Sequence, residues 1–158
     1  MPSPFQALQQ VPNACQILPN VITGGQPTAG DLEAFKAAGG TVVLDIRDPM
    51  EPRPLDEPET AQRLGLEYVV VPVTAGTMTD PTLERIHDVV RRSGENPIFV
   101  HCASGSRVGG AMLPILILEH GLTEDDATAQ AMRIGLRSAD LLEWGLDYAR
   151  RKSPHPDK

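Results

Sequence analysis

The run His101-Cys102-Ala103-Ser104-Gly105-Ser106-Arg107 brings a thiol, a glycine and a guanidinium into one short stretch. An apolar, strand-like segment ending at Val100 leads into it, and a helical segment starts at about Arg107. A turn of this kind directs backbone N–H groups, a helix N-terminus and a cation at one point. Beside them a thiolate is favoured over a thiol and becomes a nucleophile. Gly105 lets the backbone take a positive φ and turn an N–H inward. Arg107 clamps an oxyanion with two parallel hydrogen bonds, which a lysine cannot do. Ala103, Ser104, Gly105 and Ser106 therefore read as an anion-binding loop, with Cys102 as nucleophile. His101 reads as loop support, with no proton-transfer role. Ser104 and Ser106 either donate hydroxyls to the site or simply form the turn and the helix cap.

Composition sets the limits. A chain of 158 residues, 41% of them hydrophobic, suits one domain with a good core. A net charge of −7 argues against a broad nucleic-acid or anionic-membrane surface, so neither partner is expected. The two cysteines, Cys15 and Cys102, do not make a disulfide framework, and a cytoplasmic setting is expected. His87, His101, His120 and His155 show no ligand spacing, so no metal and no cofactor is expected. Residues 1–12 do not read as a signal peptide, and the apolar run 111–118 is too short to span a bilayer.

The elements that position the loop follow from pattern. Residues 1–14 read as a loose, flexible arm, 15–151 as the domain, and 152–158 as a disordered tail. Residues 16–18 and 21–23 flank Pro19-Asn20 as a hairpin. Strands are expected at 41–46, 67–73 and 97–101. Helices are expected from Thr28 to about Ala38, at 59–64, from Asp80 to about Arg92, at 107–120, from Thr123 to Gly135, and at 139–151. Pro114 is expected to kink or distort its helix. Alternating strands and helices give an α/β class: a mostly parallel central sheet of about four to five strands, flanked by helices. Ligands bind beyond the carboxyl ends of such strands, where Cys102 lies.

The motif His-Cys-x-x-Gly, feeding an apolar helix, resembles the cysteine-dependent tyrosine and dual-specificity phosphatases. Residues 22–28, then Asp31-Leu32, 42–47, 66–68 and 71–73 follow in an order similar to the bacterial phosphatase-like group called beta-lactamase-hydrolase-like. That likeness covers about residues 17–137 and implies the dual-specificity phosphatase fold. It implies a phosphocysteine on Cys102, a phosphorylated or other small anionic substrate, and a general acid on the loop after the preceding strand.

Two departures matter. Phosphatases of this type usually place five residues between cysteine and arginine; here there are four, and Val108 follows. The beta-lactamase-hydrolase-like group shares the shorter loop, but the spacing also resembles rhodanese sulfurtransferases. In loop 74–80 only Asp80 is acidic, and it also suits the N-cap ahead of Pro81. Asp48, at a strand's carboxyl end, is the alternative acid. The acidic stretch with Glu51, Asp56, Glu57 and Glu59 reads as a solvated loop, with a border on the pocket as the alternative, and Asp45 as structural. Arg133 and Arg137 read as surface charge, with a reach to an anion from the late helices as the alternative. A phosphatase-like hydrolase leads; a sulfurtransferase carrying a Cys102 persulfide and an inactive anion-binding module are the alternatives.

Overall fold

The structure is a computed structural model that describes residues 2–153. A short helix α1 (Pro4–Ala7) precedes the hairpin β1 (Cys15–Leu18) and β2 (Val21–Gly24). Then come α2 (Ala29–Ala37), β3 (Val42–Asp45), α3 (Glu57–Leu64) and β4 (Glu67–Val70). They are followed by α4 (Asp80–Arg92), β5 (Ile98–His101), α5 (Ser106–Pro114), α6 (Glu124–Ile134) and α7 (Ala139–Lys152). The five strands form one sheet in the order β1-β2-β5-β3-β4. Only the β1–β2 pair is antiparallel; β5 runs parallel between β2 and β3, and β4 parallel to β3. This is the mostly parallel α/β sheet expected from the alternating pattern.

Strand alternation divides the core between the two faces. Val42, Leu44, Ile98 and Val100 face a core shared with α4, α5, α6 and α7. Ile22, Val43 and Phe99 face the other, with Leu32 and Phe35 of α2 and Ala61 of α3. Each fully buried valine, leucine, isoleucine or phenylalanine among these contributes roughly 1.5–3 kcal/mol. β5, covered on both faces and flanked on both edges, is the central strand, and Cys102 follows its carboxyl end.

The N-terminal segment differs from a loose arm. Ser3 and Gln6 close a capping box on α1, and Leu8 and Val11 are buried in the second core. The apolar spacing of Phe5, Leu8 and Val11 holds this polar, proline-containing stretch down. α7 runs to Lys152, one residue into the tail expected at 152–158; residues 154–158 lie outside the described residues.

The expected helix 107–120 is broken. α5 ends at Pro114 and a π-helical turn, Ile115–Glu119, follows. Proline has no N–H for the carbonyl of Gly110. That carbonyl lies against Gly145 of α7, where a Cβ would come within 2.4 Å. The Ile115 N–H bonds Met112, and the freed Ala111 carbonyl accepts from His87 Nε2 at 3.0 Å. Burial lowers the His87 pKa, so the ring is a neutral donor within the core.

Candidate active site

The strand ladder carries directly into the loop. Past β5 the Cys102 N–H donates to Gly24 at 3.2 Å, and the Ala103 carbonyl accepts from Gln26 at 3.0 Å. The turn therefore hangs from the end of β2. Gly25 makes this approach possible, because a Cβ there would fall 2.5 Å from the Ala103 carbonyl. Asn13 Nδ2 donates to the Ser104 carbonyl at 2.7 Å, and Ser106 Oγ accepts from the Arg137 N–H at 3.0 Å. Ser106 thus ties the loop to the α6–α7 connection.

Gly105 decides the geometry. Its φ is +101°, and a Cβ there would lie 2.2 Å from the Ile134 carbonyl. In this conformation its N–H donates to Cys102 Sγ at 3.1 Å. Gly105 is also the N-cap of α5 and brings no side chain to the helix start. Cys102 is 1% exposed, at the floor of the loop. Arg107, in the first turn of α5, interacts with Cys102 and forms a two-pronged pair with Glu51, at 2.6 and 3.0 Å.

His101 supports the loop from below. Its Nδ1 bonds the Cys102 carbonyl at 3.1 Å and its Nε2 lies 2.5 Å from Glu57 Oε2. Glu57 also accepts from Gln26 Nε2 at 2.9 Å. Asp45 accepts from Arg53 at 2.6 Å and from the Tyr68 hydroxyl at 2.5 Å. Burial, followed by the Asp45 bond, drives the Tyr68 pKa upward, so the phenol stays a donor. Asp45, Glu57 and His101 are of metal-binding types and lie close together, fully buried. The Arg53 guanidinium pairs with Asp45 at 2.6 Å and with Glu57 at 3.8 Å, so it lies between the two carboxylates.

The acids expected from the sequence are placed differently. The N-cap of α4 is Thr79, and Asp80 is the first helical residue. The Asp80 carboxylate pairs with Arg151 at 2.7 and 2.9 Å, and that hydrogen bonding lowers its pKa. That pair engages both carboxylate oxygens of Asp80 at the surface. Asp48 accepts the Met50 N–H at 3.0 Å and so shapes its own loop. The carboxylate that reaches Arg107 is Glu51. It also pairs with Arg47 at 3.3 Å and accepts the Asp48 N–H at 2.8 Å. The Arg107 hydrogen bond is the main cause that holds its pKa down at about 2. Beside it opens a cavity of about 350 Å³ lined by Pro49, Glu51, Arg53, Leu55 and Tyr68, among others.

Asn13, Gln26, Glu51 and Glu57 were not singled out as site residues from the sequence. Their partners lie far away in the chain, and no spacing marks them. The acidic composition of loop 49–58 pointed to solvent, whereas Glu57 is fully buried.

Residues 13–135 match the family model described as a DSP-PTPase phosphatase fused to NAD+ kinase. The chain belongs to this family. Its phosphatase-type loop, from Cys102 to Arg107, lies inside the matched segment. A beta-lactamase hydrolase-like protein of Agrobacterium fabrum is 26% identical over 98 residues, covering 60% of this chain and 22% of that protein. The chain thus spans about a fifth of the length of the curated relatives it matches. Among solved structures, a DUF442 protein of Shewanella putrefaciens CN-32 superposes with a TM-score of 0.78 at 20% identity, covering 93% of this chain and 97% of its own. TpbA of P. aeruginosa, solved in complex with pTyr, gives 0.64 at 16% identity, covering 87% and 90%. These likenesses establish the dual-specificity phosphatase fold. Family membership favours the phosphatase over the sulfurtransferase reading of the short loop.

Proposed function

We propose that this domain is a cysteine-dependent phosphoric monoester hydrolase that works through a phosphocysteine on Cys102. The carrying observation is the Gly105 N–H directed at Cys102 Sγ at 3.1 Å, with Arg107 in the first turn of the helix that follows. Cys102 attacks phosphorus, and the sulfur–phosphorus bond forms as the ester oxygen leaves. Arg107 and the loop amides of Ala103–Ser106 hold the equatorial oxygens and supply the positive field. Water then opens the phosphocysteine. His101 keeps the loop in shape through the Cys102 carbonyl and takes no proton.

The expected substrate is a small phosphorylated or otherwise anionic molecule. TpbA, which shares the fold, was solved with pTyr. The net charge of −7 supports the absence of nucleic-acid and membrane partners. No helix among the described residues is long and apolar enough to cross a membrane. Two free cysteines and bacterial relatives support a bacterial, cytoplasmic enzyme. We place the phosphatase-like domain at residues 15–151, with α1 packed on it.

The test is a pair of assays on one preparation: phosphate release from an aryl phosphate, and thiocyanate formation from thiosulfate and cyanide. Phosphate release that Cys102→Ser abolishes supports the hydrolase. Thiocyanate formation alone supports the sulfurtransferase instead.

A further inference from the structure

After β4, where this fold would carry an acid, the first carboxylate is that of Asp80 at the start of α4, and it pairs with Arg151. Asp48 is engaged with its own loop. Glu51 is the carboxylate that reaches Arg107, and it sits in the fork where a phosphoryl group must bind. Its two oxygens, at 2.6 and 3.0 Å from the guanidinium, copy the two-pronged contact of a substrate oxyanion. Its side chain is 29% exposed and lines the neighbouring cavity, so it has room to turn aside.

We propose that Glu51 is the general acid, exchanging places with the incoming phosphoryl group on Arg107. This rests on Cys102 being the nucleophile. In the free enzyme Glu51 is ionised, faced by Arg107 from α5 and by Arg47 and the Asp48 N–H from its own loop. Arg53, Asp56, Glu57 and Tyr68 line the cavity behind it. The proton enters with the substrate, because a phosphomonoester loses its second proton near pH 6 and its monoanion still carries one. Once the phosphoryl group holds Arg107, Glu51 has lost its strongest cationic partner and faces a like charge, and both favour its protonated form.

The proton count closes. The phosphoryl group passes its proton to Glu51. The bond from Cys102 Sγ to phosphorus forms, the ester bond breaks, and Glu51 gives that proton to the leaving oxygen. Glu51 then takes a proton from the attacking water as the sulfur–phosphorus bond opens. It returns that proton to the departing phosphate and re-pairs with Arg107.

The experiment compares kcat/KM for phenyl phosphate and 2,4-dinitrophenyl phosphate in the wild type and in Glu51→Gln. Phenolate needs a proton to leave, and dinitrophenolate does not. The expected result is a fall of about 10²-fold or more in the kcat/KM ratio of phenyl to dinitrophenyl phosphate, the range of a lost general acid. Glu51→Asp should restore part of the loss. Inorganic phosphate should bind Glu51→Gln more tightly, because its competitor for Arg107 is gone. A parallel change in both esters, or no change in either, overturns the assignment while Cys102 chemistry stands. A wild type that forms no phosphocysteine from either ester overturns the Cys102 reading and this one with it.

Discussion

His101 Nε2 and Glu57 Oε2 lie 2.5 Å apart across a sequence separation of 44, both fully buried. The pair locks the ring whose other nitrogen bonds the Cys102 carbonyl. Removing one partner leaves a buried polar group unmatched, which costs about 1–3 kcal/mol. Glu57→Gln is therefore expected to lower stability by roughly that amount in urea unfolding. It should also slow alkylation of Cys102 by iodoacetamide. A variant of full stability and unchanged alkylation rate would show that the pair does not hold the loop.

Gly105 is required twice, by its φ of +101° and by the Ile134 carbonyl 2.2 Å from any Cβ. Gly105→Ala should cost at least about 1–3 kcal/mol, the range for one strained backbone site. The N–H turned at Cys102 Sγ would move with it. Weaker binding of inorganic phosphate at temperatures where the variant is still folded is the sign to seek. Phosphate affinity equal to the wild type would mean that the loop tolerates the side chain.

Asp80 and Arg151 form a surface pair, 35% and 46% exposed at the side chain. The Asp80 pKa is depressed in the folded state, so its contribution is present above the unfolded value of about 3.9 and is lost as pH falls. Exposed pairs contribute at most about 1 kcal/mol. Asp80→Asn should accordingly cost little at pH 7, and less still at pH 3. Its preference between phenyl and dinitrophenyl phosphate should match the wild type. A selective loss on phenyl phosphate would return the acid role to Asp80.

Asn13 joins the N-terminal segment to the site through the Ser104 carbonyl at 2.7 Å, and its own φ is +56°. Asn13→Ala removes one hydrogen bond and strains a left-handed residue, so a loss of about 1–2 kcal/mol is expected. Thermal unfolding measures this directly. No change in midpoint would mean that the N-terminal segment does not brace the loop.

These residues show what could be seen in the chain alone. Cys102, Gly105 and Arg107 were legible because they are neighbours in sequence and follow a clear strand. Strands such as Val42–Asp45 were legible through their β-branched runs, and the inner face of α4 through its 3.6-residue period. Glu51, Glu57 and Asn13 meet their partners across separations of 56, 44 and 91 residues, from segments without periodicity. An acidic, proline-rich loop looks solvated until the fold folds it over β3 and β5. Asp80 suits the cap in sequence, but Thr79 takes that place and leaves the aspartate, one position on, to pair with Arg151.

The central claim is that Cys102 carries the phosphoryl group. Rapid acid quench of the enzyme turning over 2,4-dinitrophenyl phosphate, followed by intact and peptide mass spectrometry, tests it most directly. The account predicts a gain of one phosphoryl group on the Cys102 peptide and none on Cys15, with no adduct in Cys102→Ser. Phosphate release with an unmodified Cys102, or turnover that survives Cys102→Ser, would contradict it.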